Sequence, residues 1–157
     1  MAPLRSATEV AYIAAMGSKS GTIDVDFGAE DHLWIRYAGK LSVNVCVEHV
    51  AALERELARR HDVNRPFGAI VELDALQQPN PGVMQVATAF WQRLQNEDHP
   101  CLTAVSYVGT SKIAQGIVIS MNWLAPIPVA FGVAANREEA LRWLQAQFSA
   151  NAGCGGQ

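Results

Sequence analysis

The segment FGAIVELDALQQPNPGVMQVATAFW, residues 67–91, changes its structural period within a few residues. Phe67 to Leu73 is a short, nearly continuous apolar run rich in β-formers, the pattern of a strand buried on both faces. It is expected to end at Asp74. Asn80 followed by Pro81 is a helix start, because asparagine accepts from free first-turn amides while proline tolerates only the first turn. Val83, Ala87, Phe90 and Leu94 then recur as one apolar stripe, predicting a helix to about Asn96. A strand buried on both faces and followed at once by an amphipathic helix is the repeating unit of an α/β fold.

The same unit recurs toward the C-terminus. Leu102 to Val108 reads as a second buried strand, and Ser111 as the cap of a helix with the stripe Ile113, Ile117, Ser120/Met121 and Leu124, stopped by Pro126. Ile127 to Val133 supplies a last buried strand. Asn136-Arg137-Glu138-Glu139 has the form of a capping box ahead of Leu141, Leu144 and Phe148.

Toward the N-terminus the period becomes two. Ile23, Val25 and Phe27 alternate with Asp24 and Asp26, and Leu33, Ile35 and Tyr37 alternate with Trp34 and Arg36, so Gly28 to His32 connects a β-hairpin. Cys46, Val50, Leu53 and Leu57 follow at helical spacing, against a face carrying Glu48, Glu54, Arg55 and Arg59. Residues 1–20 read as an appendage with a short helix over Thr8 to Met16, residues 21–149 as one domain, and 150–157 as a polar tail. The expected architecture is an α/β fold with a mixed five-stranded sheet, a hairpin and then three strand–helix units, covered by four helices. Right-handed crossovers make the later strands parallel, leaving only the first antiparallel.

Composition narrows the function classes. With 12 Lys and Arg against 15 Asp and Glu, the net charge is −3, which gives no long-range attraction for nucleic acid. Half of the residues are hydrophobic and 17% charged, a charge-poor balance that suggests a partner covering some apolar surface; a second copy of the chain is one candidate. Ile113 to Ala135 is the most membrane-like stretch, but Asn122, Pro126 and Pro128 interrupt it, so no transmembrane segment is expected. No signal peptide opens the chain, and three cysteines without CxxC spacing suit a reducing cytoplasm.

Candidate chemistry is sparse. His32, His49, His61 and His99 include no pair at the i, i+4 spacing of a helical metal site, so no metal or cofactor is expected. Cys46 and Cys101 fall at core positions, as small hydrophobes rather than nucleophiles. The C-terminal edge of a parallel sheet is the usual ligand edge, and it carries two candidates. Thr110-Ser111-Lys112 combines hydroxyls, helix-start amides and a positive charge suited to an anion, while Asp74, Gln77, Gln78 and Asn80 form a polar loop suited to a protein partner. Nothing assembles into a catalytic set, so no enzyme is expected.

The element order, the Tyr37-Ala38-Gly39-Lys40-Leu41 turn and the closing Phe131…Glu138-Glu139-Ala140-Leu141-Arg142-Trp143-Leu144 together resemble the STAS class, the sulphate-transporter and anti-sigma-factor-antagonist domains. The resemblance covers about Gly21 to Phe148 and is nearest to the stand-alone bacterial antagonists. It implies a non-enzymatic regulatory module that binds a protein partner. In that family a serine at the start of the helix after the third strand accepts phosphate. Here Asp74 to Gly82 contains no serine, threonine or tyrosine, so the resemblance implies a module without that switch. The alternative reading is a carrier of an apolar small molecule or lipid, in a pocket at the C-terminal sheet edge.

Overall fold

The computed structural model describes residues 21–96, 101–124 and 129–150. The expected helix at Thr8 to Met16, His99, the stop at Pro126 and Cys154 lie outside these residues. The order is β1 (Thr22–Asp26), β2 (His32–Gly39), α1 (Val43–Val63), β3 (Phe67–Leu76), α2 (Pro81–Asn96), β4 (Leu102–Val108), α3 (Lys112–Leu124), β5 (Ala130–Ala134) and α4 (Arg137–Ala150).

The five strands form one sheet in sequence order. β1 runs antiparallel to β2, and β2 through β5 are mutually parallel, as the hairpin and strand–helix units require. Right-handed crossovers that always step to the next strand put their helices on one side. Accordingly α1, α2 and α3 share one core with Ile23, Ile35, Val71 and Val105, while α4 packs a second core on the other face through Ile70, Ala104, Ala140 and Leu144. Glycines let α4 sit close to the sheet: a Cβ on Gly68 would stand 2.6 Å from the Leu144 side chain, and one on Gly132 2.9 Å from the Trp143 ring.

Local signals set the helix ends. Ser42 Oγ accepts from Val45 N, Ser111 Oγ from Ala114 N and Asn136 Oδ1 from Glu139 N, at 3.2, 3.0 and 2.9 Å. Glu139 reaches back to the amide of Ala135, completing the box one residue earlier than the usual pattern. Asn64 closes α1 in the left-handed region at φ 60°, with its N–H donating to the carbonyls of Arg60 and His61.

Four expectations are corrected. β3 continues past Asp74 to Leu76, because Ala75 and Leu76 still pair with Ala38 and Gly39 after a register shift between Arg36 and Ala38. The buried stripe of α3 is Ala114 and Val118 rather than Ile113, which is 40% exposed, since the capped first turn fixes the rotation of the helix. Among the described residues β5 is an edge strand paired only with β4, and α4 covers one of its faces, so Phe131 and Val133 are exposed instead of buried. Cys101 is buried just before β4 as expected, but its sulfur is disulfide-bonded, a pairing that the cysteine spacing does not signal.

Candidate functional site: the C-terminal sheet edge and the cavity behind it

The structure brings the two candidate clusters of the sheet edge into contact. Asp74 lies near the end of β3, where two of its residues oppose one of β2, and such a bulge redirects a side chain. Its Oδ1 accepts from the backbone amides of Thr110 and Ser111 at 2.8 and 3.0 Å. These are orphan amides at the start of α3, where a helix dipole favours negative charge, so the chain's own carboxylate occupies that position. Gly109 lies close by; a Cβ there would meet Ala114 at 2.8 Å and Asp74 Oδ1 at 3.4 Å. Lys112 is exposed.

The loop after Asp74 is tied at both ends. Gln77 N donates to Gly39 O at 3.0 Å, and Asn80 Oδ1 accepts from Val83 N at 2.8 Å as the cap of α2. Between these anchors Gln77 and Gln78 are exposed, while Leu76 is buried and Pro79 half-buried. The start of α2 lies against α1, because a Cβ on Gly82 would meet Val43 at 2.8 Å. Asn80 therefore performs a capping role at the place where the resembled family carries its serine. Asn80→Ala is expected to cost about 1 kcal/mol and Asn80→Asp to preserve stability, measured by urea denaturation.

The pocket of the alternative reading lies behind this edge rather than on it. A cavity of about 130 Å³ separates the sheet from α1 and α2, lined by apolar side chains including Val71, Val83, Ala87, Phe90 and Trp91. Leu76 and Pro79 line it as well, so it extends beneath the loop. Among the described residues the polar side chains that line it are Cys46, His49, Tyr37, Tyr107 and Trp91. The Tyr37 hydroxyl and His49 Nε2 are hydrogen-bonded at 2.8 Å, and the two rings meet edge to face. Burial pushes His49 down to about 3 and Cys46 up to about 11, so the imidazole is neutral and the thiol protonated near neutral pH. The buried Tyr107 hydroxyl has no hydrogen-bond partner, and burial also keeps it protonated.

Trp34, Trp143 and Trp91 divide by face. Trp34 lies on the α4 side, where its indole donates to Glu72 and Arg137 stacks over it at 5.0 Å. Trp143 covers Gly132, whereas Trp91 packs on Phe90 and reaches the cavity. No group of three or more His, Cys, Asp or Glu among the described residues could hold a metal ion. No helix among them is long and apolar enough to cross a membrane.

No family model matches the chain, and no curated protein matches it by sequence. Solved structures do match its fold. An uncharacterized protein of the DUF3478 family with a SpoIIAA-like fold, from Shewanella loihica PV-4, superposes with a TM-score of 0.59 at 19% identity, over 82% of this chain and 98% of that one. The anti-sigma factor antagonist SpoIIAA in its unphosphorylated form gives 0.56 at 12% identity, over 79% and 96%. Apo-SiaC from Pseudomonas aeruginosa gives 0.50 at 15% identity, over 76% and 95%. Among the described residues the mixed sheet, its strand order and its helices thus form a STAS-like, SpoIIAA-like α/β fold.

Proposed function

We propose that the chain is a non-enzymatic regulatory module that binds a protein partner through the loop Asp74–Asn80 and the adjoining starts of α2 and α3. The observation that carries this reading is the loop geometry. Asp74, the Gln77 amide and Asn80 fix the backbone, so Gln77 and Gln78 project from a frame that need not be ordered on binding. In this reading the anion at Thr110-Ser111-Lys112 is the chain's own Asp74. The fold neighbour SpoIIAA is an anti-sigma factor antagonist, which fits a regulatory role. Asn80-Pro81-Gly82 leaves this module without a phosphate acceptor in the loop. A second copy of the chain, if it pairs, would meet the exposed edge of β5 at Phe131 and Val133.

The test compares proteins retained from a lysate of the source cells by the wild-type chain and by Gln77→Arg/Gln78→Arg. One specific protein held by the first and lost from the second supports the reading. Equal retention by both, or no specific protein under several growth conditions, contradicts it.

A second reading, a carrier of an apolar small molecule, is favoured by the cavity. That cavity lies between the sheet and α1 and α2 rather than on the outer sheet edge. Its size suits a small molecule: a 150 Å³ apolar cavity accepts benzene, so roughly 130 Å³ has no room for a full lipid chain.

A further inference from the structure

We infer that Cys154 is the disulfide partner of Cys101, and that this bond is a redox-responsive staple tying the chain beyond α4 to the start of β4. Cys101 directly precedes β4, at the N-terminal edge of the parallel strands. The loop proposed to bind a partner is at the opposite edge, so the staple does not depend on that reading. Three observations converge on it.

The first is elimination. The chain has three cysteines; Cys46 is a free thiol, and the Cys101 sulfur is disulfide-bonded. Within one chain only Cys154 is left to pair with it. A second chain is a poor alternative, because Cys101 is 1% exposed.

The second is reach. α4 starts after β5, at the C-terminal edge of the sheet, and runs back across it: a Cβ on Gly68, near the start of β3, would stand 2.6 Å from the Leu144 side chain. Gly68 pairs with Ala104, and Cys101 stands three residues before Ala104, about 10 Å along the strand direction. From Leu144 to Ala150 the helix rises about 9 Å in that same direction, so α4 ends nearly level with Cys101. Residues 151–154 then span up to roughly 13 Å, enough to cross the separation of about 10 Å between a helix and the layer beneath it.

The third is the setting of the Cys101 sulfur. It lies 3.7 Å from Oδ1 of Asn64, the residue that closes α1. When the bond opens, the Cys101 thiol donates to that oxygen, so the core around it accepts both oxidation states. Closure is an exchange with a small disulfide, R–S–S–R. The Cys154 thiolate displaces one R–S⁻, and the Cys101 thiolate then displaces the second from the Cys154 sulfur. The two thiols lose two protons and two electrons to form one S–S bond, and R–S–S–R is reduced to two R–SH.

The experiment holds the purified full-length chain in glutathione disulfide or in dithiothreitol. Free thiols are then alkylated in denaturant, the chain is digested without reduction, and linked peptides are mapped by mass spectrometry. In glutathione disulfide a linked pair containing Cys101 and Cys154 is expected, with Cys46 alkylated. The oxidised chain should melt roughly 5–10 °C above the reduced one. Amides in the last turn of α4 should exchange more slowly when the bond is closed. Cys154→Ser, which alters none of the described residues, should remove both differences.

A link from Cys101 to Cys46, or between two chains, would overturn the pairing, as would a folded chain that keeps Cys101 and Cys154 reduced in glutathione disulfide. The expected link with equal melting and equal exchange in both states would overturn the staple.

Discussion

Arg60→Met destabilises the fold by about 3–5 kcal/mol, the expected result of breaking a buried ion pair by removing one partner. Arg60 is only 4% exposed, because it follows Leu57 by three residues and so continues the buried stripe of α1. Its Nε donates to Glu56 Oε2 at 2.7 Å, and its terminal nitrogens donate to the carbonyls of Phe27, Ala29 and Glu30 at 3.0, 2.7 and 2.9 Å. The guanidinium also lies 5.1 Å from the centre of the Phe67 ring. One side chain thus joins the hairpin turn, α1 and the start of β3. Removing it takes a charged partner from Glu56, which is 8% exposed and also pairs with Arg59, and takes this donor from three carbonyls. Arg60→Lys should recover little, because an ammonium cannot span the planar fork of acceptors. Adding Glu56→Leu to Arg60→Met should return part of the loss, and denaturant unfolding of the three variants measures each step.

Acid is expected to weaken the protein well above the carboxylate range, through His49. In the unfolded chain this imidazole binds a proton below about pH 6.5, whereas burial holds its folded value down to about 3. Between those limits the unfolded state binds more protons, so stability falls as pH falls. The group costs nothing above pH 6.5 and roughly 2 kcal/mol by pH 5, with the loss continuing to about pH 3. His49→Gln keeps a polar partner for the Tyr37 hydroxyl without the titration. Its stability should therefore change less between pH 7 and pH 5 than that of the wild type. Equal slopes for the two proteins would assign the acid sensitivity elsewhere.

Much of the fold is legible in the sequence because its signals are local. Asn80, Ser111 and Asn136 cap the helices that they announce, and the alternation in β1 and β2 places Ile23, Val25, Phe27, Leu33 and Ile35 in the core. Departures arise where tertiary placement decides. Ile127 to Val133 is apolar enough for a buried strand, yet Phe131 and Val133 are exposed because among the described residues no further strand lies beyond β5. The role of Arg60 is not legible, since no local pattern reveals carbonyls about thirty residues earlier that converge on it.

The candidate site is partly legible in the same sense. Asp74 and Thr110-Ser111 are recognisable as sheet-edge groups, but that one binds the other depends on the register of β3 against β4. The walls of the cavity are not legible in the sequence, because its lining residues are the same apolar stripes that would fill a packed core. The alternation gives one indirect clue, placing the Tyr37 and Tyr107 rings on the inner face where a hydroxyl needs a partner.

The central claim is that the loop Asp74–Asn80 with the start of α3 forms the partner-binding surface, without phosphate. Hydrogen–deuterium exchange of the unmodified chain, free and bound to the protein that it captures, tests this most directly. The account predicts new protection over Asp74–Gly82 and Thr110–Lys112. Protection confined to another surface, such as β5, with these segments unchanged, would contradict it.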